Sequence, residues 1–266
     1  MTRKINLFIS ILLCGLLLLS GLNIYKERSA QEKEKEDFDA LVQMIEVIST
    51  EPQPTSSAVT ESTEQTKSES ITEPMPSEWN LTEVFNLNKD CIGWINIPNT
   101  DLNYPIMHTP SEPQKYIHKN FCGEFSYSGV PFMDNRCNLD STNLIIYGHN
   151  MNNGTMFATL CSFVNYDFYN NHKEIYLQTV DRLKVYKIFA VLKVTKTDSW
   201  YKCIEVETKE KYNRLIADVK SRSLYQTSIE PQYKQQLLTL STCYGDNDGR
   251  LMVIATEIYN SERKTR

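Results

Sequence analysis

From Cys91 onward, apolar and polar residues fall into eight short runs rich in β-branched and aromatic side chains. They are CIGWINIP from Cys91, YPIMHT from Tyr104, GVPFMD from Gly129, TNLIIYGH from Thr142, EIYLQTV from Glu174, LKVYKIFAVLKVT from Leu183, QLLTLSTC from Gln236 and RLMVIATEI from Arg250. Asn, Asp, Pro and Gly separate them, which is the punctuation of strands, and about eight strands at this spacing predict an all-β barrel or sandwich. Helical spacing interrupts the series at Thr155 to Val164. It does so more clearly at Thr208 to Ser223, where Tyr212, Leu215, Ile216 and Val219 form a stripe. Ahead of the first strand, LTEVFNLN reads as a short helix capped by Thr82 or Ser77. The prediction is a mostly β domain over residues 79–262, a barrel with appended helices, closed by a short tail at 263–266.

The N-terminal part has a different texture. Residues 5–24 form an uncharged run of 20 rich in Leu and Ile, about 30 Å long as a helix, which matches a bilayer's hydrocarbon core. Its apolar side chains favour insertion by about 4 to 7 kcal/mol before the polar residues are counted. A cleaved signal peptide would need a shorter apolar core and a small-x-small site, and a lipidated Cys14 would need small residues just before it. The run therefore predicts an uncleaved single-pass anchor, with residues 1–4 on the cytoplasmic side. Over 25–48, Phe38, Leu41, Val42, Ile45 and Ile48 lie on one helical stripe, predicting a stalk helix that extends the anchor. Of the 30 residues 49–78, 23 are Ser, Thr, Glu or Pro. Such a segment buries too little apolar surface to offset its ordering entropy, so it reads as a disordered tether.

The net charge of −5 hides a division: residues 27–78 carry 13 acidic and 4 basic residues, residues 79–266 carry 20 and 21. The folded part is near neutral and offers no broad basic field, which argues against nucleic acid as a partner. Seven cysteines, odd in number and without metal-ligand spacing, argue against a disulfide scaffold and a metal centre.

Four histidines make the candidate chemistry tractable. His108, His118 and His172 sit in loop-like polar settings and read as surface or turn residues, whereas His149 follows NLIIYG at the mouth of a strand. Cys243 has the same placement at the end of LLTLST. Alternation puts Thr239, Ser241 and Cys243 on one strand face, making Ser241 a candidate substrate-binding neighbour. Arg250 opens the next strand after six intervening residues, so a hairpin would return its guanidinium toward Cys243. A thiolate can attack an acyl carbon, an imidazole can move the protons, and an arginine can donate to a developing oxyanion. Asp246 and Asp248, between them, read as plain turn residues.

YGHN at 147–150, TLSTC at 239–243 and Arg250 leading LMVIA resemble the His, TLxTC and Arg signatures of sortases, the membrane-anchored transpeptidases of Gram-positive surfaces. GWINIPNTDLNYPIMH, YGHNMNNGTMFATL and the long stretch between His149 and Cys243 resemble class B, while the YGDNDG loop is short for the family. The resemblance implies an eight-stranded sortase barrel on which the class B helix is an ornament. It implies that Cys243 attacks a threonyl carbonyl in a C-terminal sorting motif of an exported protein, giving a thioester that an amine of peptidoglycan or its precursor resolves. His149 would be general acid and base, Arg250 the stabiliser of substrate and oxyanion, with no metal or cofactor, and the catalytic domain would face the extracellular side. Two other functions fit the same residues: an extracytoplasmic cysteine protease or hydrolase with water as acceptor, and a non-enzymatic surface β-barrel in which Cys243 is a buried thiol.

Overall fold

The computed structural model of this protein describes residues 2–47 and 78–261. Of the tether expected at 49–78, residues 49–77 lie outside the described residues, as do the tail at 263–266, Ile48 and the side chains of residues 2–11.

The first element is a single helix, α1 (Thr2–Gln43), that runs without a break from the apolar run into the charged segment. Among the described residues no helix is long and apolar enough to cross a membrane. Leu12, Leu13, Leu16, Leu17, Leu18, Leu19 and Leu22 are each more than half exposed. At its other end α1 meets the barrel. Phe38 and Leu41 are buried, Val42 and Ile45 pack beside them, and the Phe38 ring meets Tyr104 edge-on at 5.3 Å. Ser128 Oγ also donates to Glu34 Oε2. A two-stranded ribbon of β1 (Glu46–Val47) and β2 (Trp79–Asn80) follows. The short helix α2 (Thr82–Leu87) starts at an N-cap Leu81, not at Thr82 or Ser77, and the Asn80 side chain takes the Thr82 amide.

Eight strands then close a barrel, and they are the eight runs: β3 (Cys91–Asn96), β4 (Asn103–Met107), β5 (Phe132–Met133), β6 (Asn143–Tyr147), β7 (Glu174–Thr179), β8 (Leu183–Thr195), β9 (Leu237–Cys243) and β10 (Gly249–Asn260). Their order around the barrel is β10-β8-β7-β3-β4-β5-β6-β9. Two neighbouring pairs, β4–β5 and β6–β9, are parallel, and the others are antiparallel. The main buried cluster includes Trp94, Ile95, Ile106, Leu144, Ile146, Leu238, Leu240 and Val253. On β9 and β10 the two faces separate: Leu238, Leu240, Leu251, Val253 and Ala255 join this cluster, while Leu237, Met252 and Ile254 join a second one.

The helical signals fall as expected in place but not wholly in type. A 3₁₀ helix, Phe157–Val164, stands where Thr155 to Val164 predicted one, and α3 (Tyr166–Asn171) follows it, capped by the Asn165 side chain on the Asp167 amide. The stripe at 208–223 is α4 (Lys209–Arg222), with Thr208 Oγ1 capping the Lys211 amide. Tyr212, Ile216 and Val219 bury against Phe189 and Leu192 of β8, Leu237 of β9, Met252 and Ile254 of β10, and Trp200. That second core covers the outside of the barrel wall that carries Cys243.

Candidate active site

The site is a consequence of register. Tyr147 of β6 pairs with Ser241 of β9 in parallel, and the chains stay in step beyond the strand. The Gly148 amide donates to Ser241 O at 3.2 Å, and Thr242 Oγ1 donates to Gly148 O at 2.8 Å. Asn150 Nδ2 then donates to Cys243 O at 3.1 Å. His149 is carried to the Cys243 end of β9 although 94 positions separate the two in sequence. Glycine is required just before it: a Cβ on Gly148 would lie 2.6 Å from the Phe157 ring, which packs beneath the turn.

On the other edge of β9, Arg250 of β10 is the direct cross-strand partner of Cys243. Opposed residues of an antiparallel pair hold their Cβ atoms about 4.5–5.5 Å apart. Three adjacent strands thus deliver imidazole, thiol and guanidinium to one end of the barrel. All three line a groove of about 480 Å³ whose walls include Ile117, Asp134, Arg136, Tyr147, Tyr201 and Ser241. Cys243 is exposed, while His149 and Arg250 are half-buried.

Each side chain has defined partners. His149 Nε2 lies 2.9 Å from Ile117 O. A carbonyl only accepts, so Nε2 carries the hydrogen, and Nδ1 is the nitrogen left to gain and lose a proton. Arg250 Nη1 donates to Gly249 O at 2.7 Å and Asn247 O at 3.2 Å, so the turn after Cys243 braces one arm of the guanidinium. Asp246 Oδ1 accepts from the Asp248 and Gly249 amides, the role of a turn residue, and Asp248 pairs with Lys196 at 2.7 Å. Ser241 is largely buried in the groove wall, with its hydroxyl 2.7 Å from Tyr201 Oη beside it. Burial pushes the Tyr201 hydroxyl up from its ordinary value, which keeps it a hydrogen-bonding OH.

Sequence reasoning missed two parts of the site, one in the groove wall and one outside the groove's lining. Asp134 accepts from Arg136 Nε and Nη2 at 2.8 and 2.7 Å and from Tyr147 Oη at 2.8 Å. Burial alone would raise its carboxyl, but the Arg136 and Tyr147 hydrogen bonds hold it below the ordinary value. Arg136 Nη2 also donates to Tyr201 O at 2.8 Å, tying β5 to the 3₁₀ helix Ser199–Lys202. Tyr201 comes from the segment between His149 and Cys243, ahead of α4, so that segment builds part of the groove wall. The second part is His118. It is exposed, as expected, yet its ring stacks on His149 with centroids 5.5 Å apart and planes 19° apart. His108 is half-buried with Nε2 unpartnered, and His172 contacts Phe168 O through Nδ1. All seven cysteines are free, and no cluster of His, Cys, Asp or Glu among the described residues could hold a metal ion.

Comparison with known proteins agrees with this geometry. A family model described as a sortase domain matches residues 95–258. Sortase B of Listeria monocytogenes is 33% identical over 178 residues, covering 65% of this chain and 72% of that protein. Sortase B of Staphylococcus aureus is 30% identical over 174 residues, covering 64% and 70%. Among solved structures, the Staphylococcus aureus sortase B–substrate complex superposes with a TM-score of 0.62 at 30% identity, covering 66% of this chain and 83% of that one. Clostridium perfringens sortase B superposes with a TM-score of 0.63 at 32% identity, covering 68% and 100%.

Proposed function

The chain belongs to the sortase family, in its class B, and on that premise we propose that it joins exported proteins to a cell-wall amine through a thioester on Cys243. In the first half-reaction Cys243 Sγ bonds to a threonyl carbonyl carbon of a C-terminal sorting motif. The C–N bond after that threonine breaks, and His149 gives its proton to the departing amine. In the second, an amine of peptidoglycan or its precursor attacks the thioester carbonyl. The C–S bond breaks, the thiolate is restored and the amine's proton passes to His149. Arg250 donates to the oxyanion of both tetrahedral intermediates, the arm braced by the turn leaving the other free to face substrate. Ser241 and Tyr201 bind the motif's backbone from the adjoining wall.

The observation that carries the reading is the register that sets Arg250 opposite Cys243 on one side and carries His149 beside it on the other. That a Staphylococcus aureus relative is solved as a sortase B–substrate complex supports a substrate-binding role for this chain. The exposed leucines of α1 support a membrane anchor at residues 5–24, and an extracellular barrel follows from the proposed attachment of exported proteins to the wall. The test is a library of threonine-containing peptides incubated with and without a peptidoglycan-like amine. A transpeptidase gives amine-ligated product and little hydrolysis when amine is present. Hydrolysis that added amine does not suppress would replace this reading with a protease.

A further inference from the structure

We propose that His118 is a positioning residue for His149, a role that rests on the assignment of His149 as the proton carrier. Residues 117 and 118 are consecutive in one 3₁₀ turn, Lys115–His118, and contact His149 in two different directions. Ile117 O meets Nε2 at 2.9 Å, and the His118 imidazole lies beside the ring in an offset, near-parallel stack with centroids 5.5 Å apart and planes 19° apart. Either contact alone leaves a freedom. A single hydrogen bond lets the ring tilt out of its plane, and a stack lets it turn over and exchange Nδ1 for Nε2. Together they fix both the plane and the nitrogen that exchanges protons.

The turn that makes these contacts is itself held. The Val130 amide donates to Tyr116 O and the Ser126 amide to His118 O, both at 3.1 Å. Behind it sits Gly129, at φ +59, where a Cβ would stand 2.5 Å from Tyr116 O and 2.6 Å from Ile117 O. The carbonyl that orients His149 is thus backed by a residue that must be glycine. A solvent-exposed imidazole on a held turn, offset and near-parallel to the ring of the proton carrier, has a use that surface placement alone does not explain.

The full chain is compared with His118→Ala and His118→Phe, reading both kcat and the His149 ring by long-range ¹H–¹⁵N NMR. In the parent and the Phe variant, His149 shows one ring population with hydrogen on Nε2. In His118→Ala that population splits or broadens, and kcat falls about three- to tenfold with KM little changed; Phe restores it. An unchanged His149 ring in the Ala variant, or a Phe variant as slow as the Ala variant, would overturn the proposal. If the parent transfers no acyl group to any amine, the transpeptidase reading fails instead, and the ring spectra still decide the role of His118.

Discussion

Arg250 sets the tightest chemical constraint at the scale of single residues. Its Nη1 is braced by Gly249 O and Asn247 O, and in the proposed reaction a planar fork holds the turn with one arm and faces substrate with the other. Arg250→Lys is expected to lower kcat/KM by about a hundredfold or more while leaving thermal stability near that of the parent, and a variant within a few-fold of the parent would remove Arg250 from the mechanism. Asp134 makes a pH-dependent prediction. Its carboxyl is held below the ordinary 3.8, so the stabilisation it provides is complete above that value and is lost as pH falls through the folded-state value. Asp134→Asn should therefore cost about 1–3 kcal/mol at neutral pH and flatten the stability curve below pH 3.8 in urea titrations. The thiols separate in the same way. Burial pushes Cys91 up to about 12 and Cys137 up to about 11, so iodoacetamide at neutral pH should spare both and modify exposed Cys122 and Cys243.

Elements decide whether those residues meet. The strands themselves were legible, because each run is rich in β-branched and aromatic residues and ends in turn residues, and α4 was legible from its 3.6-residue stripe. The β9–β10 hairpin was legible too, since the six residues between Cys243 and Arg250 close locally. The parallel pairing of β6 with β9 was not. It joins segments some 90 residues apart with no turn to set the register, so His149 could be suspected but not placed. The wall of the groove and the neighbour of His149 were hidden for a related reason: Tyr201 and Asp134 in the wall, and His118 beside His149, come from loops and 3₁₀ turns, whose positions follow tertiary contacts rather than periodicity. The turn at Gly148 gives the element-scale test. Gly148→Ala drives a methyl into the Phe157 ring, and is expected to cost about 1–3 kcal/mol and to lower turnover about a hundredfold by displacing His149. Calorimetry with kinetics checks both, and full activity would show that His149 does not depend on the turn.

At the scale of the whole molecule, two cores hold the groove open. One fills the barrel, and the other lies between its outer wall and α4, so the strand carrying Cys243 is packed on both faces. Ile216→Ala should cost about 2–5 kcal/mol in chemical denaturation, because it opens a cavity shared by β8, β9, β10 and α4. The last turns of α1 are a separate attachment. Phe38 meets Tyr104, and Tyr104 Oη accepts from the Met156 amide in the loop after His149, so the docked helix backs the loop that leads out of the site. The account as a whole stands on Cys243 being the nucleophile, and peptide mapping of the full chain after brief reaction with a sorting-type peptide, quenched in acid, tests that directly. The account predicts a single acyl adduct, on the peptide containing Cys243. An adduct on Cys122 or Cys203 instead, or turnover surviving in Cys243→Ala, would contradict it.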